Sequence, residues 1–213
     1  MENEKEKEKE KYPIYHYDII QRSDEWFSIR KGKFTASNAQ SIGNQGKGLE
    51  TYIWQVLTKK YSDGFDYDYK NDDIQRGVEL EEQAKMVYEI EKEPVTTVGF
   101  IEMDEYVGCS PDGLIGDEGG IEIKCPNDTN YMKLLLQGER AIESKYIWQV
   151  QMCLLITGRK WWDLDFYNPN FEKNTIIFRL YPDLVKIEKL KVGIERGKNL
   201  IKELTNEYNN IIN

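Results

Sequence analysis

Histidine occurs once, as His16, and cysteine three times, as Cys109, Cys125 and Cys153. Zinc prefers such ligands in groups, so a zinc centre is not expected. An odd number of widely spaced cysteines builds neither a disulfide framework nor a Cys-x-x-Cys clamp. It fits a reducing, intracellular setting instead. No apolar run approaches the roughly 18 residues of a membrane span. The N-terminal residues carry no apolar signal segment, so a cytoplasmic protein without a membrane partner is expected. Positive charge is also scarce. The chain has 29 Lys and Arg against 38 Asp and Glu, a formal net charge of −9. A nucleic-acid partner usually goes with a basic footprint, which this chain lacks overall. Metal ions would neutralise part of the deficit, and local fields near a groove can oppose the net charge.

What is present is enough for one domain with a real core: 213 residues, of which 39% are hydrophobic. Residues 1–11, MENEKEKEKEK, have nothing to bury and read as a disordered charged tail. Residues 12–213 read as a single domain. Ser23 caps an expected helix over 24–30, and Thr35-Ala-Ser37 is expected to open a second helix with its hydroxyls. Further helices are expected over 49–61 and from 72 or 73 to about 91, with a polar loop over 63–71 between them. Strands are expected over 95–102, over 106–110 continuing into 114–115, and over 121–124, together forming an antiparallel meander. Two helices (129–138 and 144–157), two strands (161–167 and 175–181) and a final helix (183–211) complete the chain. The expected fold is α/β of the α+β kind: a mixed central sheet, including the meander, flanked by helices.

The chemistry concentrates between Ser110 and Pro126. Asp112 lies in Ser-Pro-Asp-Gly, where proline removes a backbone donor and Gly113 permits an unusual turn or bulge. Glu122 and Lys124 are two apart on a strand and share a face, while Ile123 points to the other. The Ile123 carbonyl is still available as an oxygen ligand. Two carboxylates and a carbonyl suit a hard divalent cation such as Mg2+, for which Mn2+ can substitute. Such an ion activates water and stabilises charge on a phosphoryl group. Lys124, beside two carboxylates, is expected to stay protonated and to act by position and charge. A bare Glu-x-Lys is also the pattern of a solvated strand face. Ser-Pro-Asp-Gly upstream and Cys-Pro immediately after favour catalysis.

Asp112…Glu122-Ile-Lys124 resembles the PD-(D/E)XK nuclease signature. Four further segments resemble the phage lambda exonuclease group, or YqaJ-like viral recombinases: Trp26-x-x-x-Arg30-x-Gly32-x-x-Thr35-Ala-Ser37, Gly77-x-x-x-Glu81-x-x-Ala84, Ser110-Pro-Asp-Gly113 and Tyr146-x-x-Gln149-Val-Gln151. The resemblance implies a restriction-endonuclease-like core and a magnesium-dependent exonuclease. That enzyme would degrade the 5′-ended strand of linear duplex DNA and leave 3′ overhangs for strand annealing. It also implies a phage, virus or prophage origin, a trimeric ring and a single-strand annealing protein as partner. Residue by residue, it makes Asp112, Glu122 and the Ile123 carbonyl metal ligands and Lys124 the catalytic lysine. Glu81 becomes a further acidic residue near the metal, reaching it through water, and Gln149 orients the site. Arg30 and Ser37 match a 5′-phosphate pocket, and Lys47, the one cation of the 43–48 segment, is carried with them as a DNA contact. Two other readings stay open: another nuclease on this fold, such as an endonuclease or a Cas4-like enzyme, and a non-catalytic DNA-end-binding protein. A Cas4-like enzyme needs four cysteines for its iron–sulfur cluster, one more than the chain has.

Overall fold

The computed structural model describes residues 13–62 and 72–212. The expected tail at 1–11 and the loop at 63–71 lie outside these residues. Among the described residues, two mixed sheets are flanked by helices. The order is β1 (Ile14–His16), α1 (Asp24–Arg30), β2 (Phe34–Thr35), a 3-10 turn (Ala36–Asn38), α2 (Ala39–Asn44), α3 (Lys47–Tyr61) and α4 (Asp72–Glu91). The strands β3 (Val95–Thr96), β4 (Phe100–Asp104), β5 (Val107–Cys109), β6 (Gly113–Ile115) and β7 (Gly119–Lys124) follow. Then come α5 (Asp128–Gln137), a 3-10 turn (Gly138–Ala141), α6 (Ser144–Thr157), β8 (Trp161–Tyr167), β9 (Thr175–Leu180) and α7 (Leu184–Ile212). No helix among these residues is long and apolar enough to cross a membrane.

The larger sheet runs β3-β6-β7-β8-β9, and the smaller runs β1-β4-β5-β2. This corrects the single meander. The expected strand over 95–102 is two strands in different sheets, as is the one over 106–115. The break falls at Gly99, where a Cβ would lie 2.0 Å from the Ile19 carbonyl oxygen. Only glycine lets the incoming N-terminal segment cross there. The β1 and β2 strands, at three and two residues, are too short for a periodicity to register. Thr35 also departs from expectation. It ends β2 and makes no side-chain capping bond to the turn after it.

Strand β7 is the site's platform. It pairs antiparallel with β6 and parallel with β8, so α5 and α6 form the crossover that a parallel pair requires. The alternation of side chains sorts its residues between two layers. Ile121 and Ile123 pack against Ala84 and Tyr88 of α4, together with Val95 and Ile115. The opposite face lies under α6 and the main core, which includes Trp162, Leu164 and Phe166 of β8. Helix α4 is tied to the sheet by a polar knot: Tyr88 Oη donates to Asp163 Oδ2 at 2.6 Å, and Arg179 forks onto the same carboxylate at 2.8 and 2.9 Å.

Asp165, on the same face, is fully buried and has a harder setting. Thr175 donates to Oδ1 at 2.6 Å, and Oδ2 has no partner among the described residues. Burial pushes its carboxyl up to about 7. A folded value above the ordinary one near 4 means that the native state holds a proton the unfolded chain has lost. This contribution is full below pH 4 and is lost as pH rises through 7. Asp165→Asn is therefore expected to flatten the pH dependence of stability between pH 4 and 8, by an amount on the order of 4 kcal/mol. Urea melts across that range measure it, and an unchanged slope would count against the buried-carboxyl account.

Candidate active site

Strand β6 ends its pairing with β7 at Gly113, opposite Ile121. A Cβ on Gly113 would lie 2.0 Å from Val95 Cγ1, so close packing, rather than the unusual turn or bulge expected there, demands this glycine. Past it the strands part, and the Asp112 side chain takes over the ladder. Its Oδ2 accepts the Ile123 N–H at 2.6 Å. A residue's N–H and C=O point to the same neighbouring strand. The Ile123 carbonyl therefore faces the edge where Asp112 stands.

Glu122 is 2% exposed. Its Oε1 accepts from Lys124 Nζ at 2.6 Å and from Gln149 Nε2 at 2.5 Å. Its Oε2 is buried and finds no hydrogen-bond partner among the described residues. Burial, with the Glu122 charge second, pushes the Asp112 carboxyl well above the usual carboxylate range. Burial alone would lower the Lys124 ammonium, but the charges of Glu122 and Asp112 outweigh it and its pKa is raised. Lys124 is thus a fixed cation, 5.4 Å from the centre of the Tyr146 ring. The neighbouring Cys125 thiol is pushed up to about 12, by burial first and then by the charges of Glu81, Asp165 and Asp112. It remains a neutral thiol and not a nucleophile.

An orphaned carboxylate oxygen beside a second, repelled carboxylate is the electrostatic situation a cation relieves. Asp112, Glu122 and the Ile123 carbonyl could hold a hard divalent ion, since all three offer oxygen. Among the described residues no three His, Cys, Asp or Glu side chains form a ready-made metal cluster. Glu81 is the acid that stays out. It lies on the sheet-facing side of α4, one turn before Ala84 and two before Tyr88. Its Oε2 accepts from Arg22 Nη2 at 2.5 Å, a partner that nothing in the local sequence announces.

A second feature adjoins this centre. A cleft of about 410 Å3 between α1 and α3 is lined by Arg30, Thr35, Ser37, Asn38, Tyr52 and Lys59, among others. The Arg30 guanidinium stacks 3.9 Å over Trp26 and donates from Nη1 to Ser110 Oγ at 2.8 Å. Trp26 Nε1 donates to the same hydroxyl at 2.8 Å. Ser110 is thus the hinge between the cleft and Asp112, two residues on. Its place in Ser-Pro-Asp-Gly does not announce this role. Tyr52 was not singled out either, yet its hydroxyl accepts the Thr35 N–H at 2.9 Å and fixes the wall that carries Ser37. Lys47 is not among the residues lining the cleft. The 43–48 segment is no loop: it belongs to the end of α2 and the start of α3 with a two-residue turn between, and Lys47 sits exposed in the first turn of α3.

Gln149 and Gln151 part company on α6. Two residues of helix turn through about 200°, so only Gln149 meets Glu122. Gln151 accepts the Asp183 N–H at 2.7 Å and donates to the Tyr181 carbonyl at 2.9 Å, anchoring the connection from β9 to α7.

No curated protein matches the chain. Among solved structures, the chain is similar to an alkaline exonuclease, LHK-Exo, from Laribacter hongkongensis. The TM-score is 0.77 at 30% identity, over 89% of this chain and 100% of that one. The same protein in complex with dAMP superposes with a TM-score of 0.78 at 29% identity and the same coverage. A phage-related exonuclease from Haemophilus somnus 129PT shares the fold, with a TM-score of 0.66 at 14% identity, over 83% of this chain and 96% of that one. The YqaJ-like viral recombinase domain matches residues 25–160, which contain Arg30, Glu81, Asp112, Glu122, Lys124 and Gln149. The chain belongs to the YqaJ-like viral recombinase domain family.

Proposed function

We propose that this protein is a magnesium-dependent exonuclease that degrades the 5′-ended strand of linear duplex DNA and leaves a 3′ overhang for recombination by strand annealing. One observation carries the reading: Glu122 Oε2 is buried with no hydrogen-bond partner among the described residues, beside an Asp112 carboxyl that feels the Glu122 charge, while Lys124 and Gln149 occupy Oε1. Structural glutamates do not leave a buried oxygen unsatisfied without cost. The likeness to an alkaline exonuclease at 30% identity across that whole chain supports the nuclease class.

Asp112, Glu122 and the Ile123 carbonyl would hold the Mg2+, or Mn2+ in its place. When bound, the ion supplies a water of lowered pKa and charge stabilisation on the scissile phosphate. Gln149 and Lys124 fix the Glu122 carboxylate by two donors on one oxygen, so the other keeps its aim. Lys124 keeps its proton and opposes the charge that develops on the phosphate oxygens. Arg30, braced by Trp26 and Ser110, would fork onto a terminal phosphate, and Ser37 lines the same cleft. A trimeric ring and a single-strand annealing partner are part of the proposal, supported by the family alone.

The test is digestion of linear duplex labelled at its 5′ or 3′ ends, with closed circular DNA alongside. Loss of the 5′ label with a surviving 3′-ended strand and an intact circle is the expected result. Nicked circles would move the chain to the endonucleases, and binding without cleavage would make it an end-binding protein. Arg30→Ala is expected to slow digestion of 5′-phosphorylated ends about 10- to 100-fold, as for a lost charged hydrogen bond. Ends with a 5′ hydroxyl should slow far less. Equal losses on both would dissolve the phosphate cleft.

A further inference from the structure

Arg22 and Gln45 are the non-glycine residues of positive φ among those described, and Arg22 stands at +69°. Left-handed backbone is unfavourable for a residue with a Cβ and free for glycine. Such a conformation persists where its surroundings over-determine it, and it clusters at functional sites. Here the surroundings are explicit. Gln21 Nε2 donates to the carbonyls of Val98 at 3.1 Å and Pro111 at 2.8 Å. The Ser23 N–H returns to the Ile20 carbonyl at 3.1 Å, and the Ser23 hydroxyl caps α1. The turn over 20–23 is therefore fastened to the residue just before Asp112.

The result of that fastening is to carry the Arg22 guanidinium across to α4, where it meets Glu81. The pair is poorly suited to be the reason for the strain. The Arg22 side chain is 41% exposed, and partly exposed ion pairs contribute little to stability. The placement has another use. Glu81 and Glu122 both act electrostatically on Asp112, so a DNA strand approaching these carboxylates meets concentrated negative charge. A planar guanidinium with five N–H donors, one directed to Glu81, retains donors suited to a phosphate.

We propose that Arg22 binds a backbone phosphate of the DNA strand at the rim of the Asp112–Glu122 site, and that Glu81 stores its guanidinium until the strand arrives. The assignment rests on the nuclease reading above. It is separate from the terminal-phosphate cleft, whose lining does not include Arg22. Exchange of Glu81 for phosphate also releases the Glu81 carboxylate beside Asp112, which gives that acid its access to the site only when DNA is present.

The experiment compares the full chain with its Arg22→Gly and Arg22→Lys variants. Binding of a linear duplex is followed by fluorescence anisotropy without divalent metal, across a range of KCl concentrations, with thermal melts in parallel. Arg22→Gly relieves the backbone and is expected to melt no lower than wild type. It should bind about 10-fold more weakly, with a salt slope shallower by about one. Arg22→Lys keeps the point charge and should restore the slope while recovering only part of the affinity. Unchanged affinity and slope in Arg22→Gly would overturn the assignment. A clear fall in its melting temperature would do so too, by making the residue structural. If wild type itself fails to bind the duplex, the nuclease reading falls and takes this with it. If wild type binds and Arg22→Gly matches it, only the role of Arg22 falls.

Discussion

Lys124→Ala is expected to hold linear duplex DNA with nearly wild-type affinity and to cut it about 1,000-fold more slowly. Its Nζ lies 2.6 Å from Glu122 Oε1, and the charges of Glu122 and Asp112 keep it protonated. A preorganised cation near the reacting phosphate acts on the charge of the transition state more than on the ground state. Loss of a single such donor typically costs about 100- to 1,000-fold. Because Glu122 is buried, the missing ammonium also leaves its charge less compensated, which places the effect at the upper end. Single-turnover cleavage beside an equilibrium binding curve separates the two. Proportional losses in both would make Lys124 a binding residue, and full activity would remove it from the chemistry.

Asp112→Asn is expected to move stability and function in opposite directions. In the metal-free protein, burial and the Glu122 charge disfavour the ionised Asp112. The native state therefore favours the neutral form more than the unfolded chain does. The corresponding stability is full below the ordinary carboxylate pKa and is lost as pH rises through the raised folded value. Asparagine is neutral throughout and can still accept the Ile123 N–H through its amide oxygen. In EDTA at pH 8 the variant should melt a few degrees above wild type. Mg2+ should raise the melting point of wild type, as any ligand of the native state does, and leave the variant where it was. Cleavage by the variant should fall below detection. A variant that melts lower than wild type in EDTA, or responds equally to Mg2+, would show that the two carboxylates do not share one cation.

Much of this site was legible because it is local in sequence. Ser110-Pro-Asp-Gly and Glu-Ile-Lys lie on neighbouring strands joined by a short turn, so spacing alone brought Asp112 and Glu122 together. Gln149 came from a motif on α6 and does reach Glu122. What spacing could not supply was the division of strands between two sheets, because a pattern of alternation does not say which sheet a strand joins. The break at Gly99 depends on a contact with Ile19, about eighty residues earlier in the chain. Asp163 and Asp165 were equally silent. They lie on the strand expected over 161–167, and only the folded pairing shows two acids turned inward toward α4. Arg22 was invisible for a different reason: a left-handed arginine has no sequence signature, and its partner lies 59 residues on.

Ser110 and Asp112 are two positions apart, or about 7 Å of extended chain at most. That distance works as a ruler. In the proposed exonuclease the strand's gripped end would rest on Arg30, which leans on Ser110, while the bond to be broken would rest at Asp112. A gap this short has room for a single sugar between the held phosphate and the cut one. On that reading the step would be one nucleotide, written into the chain by a proline between a serine and an aspartate.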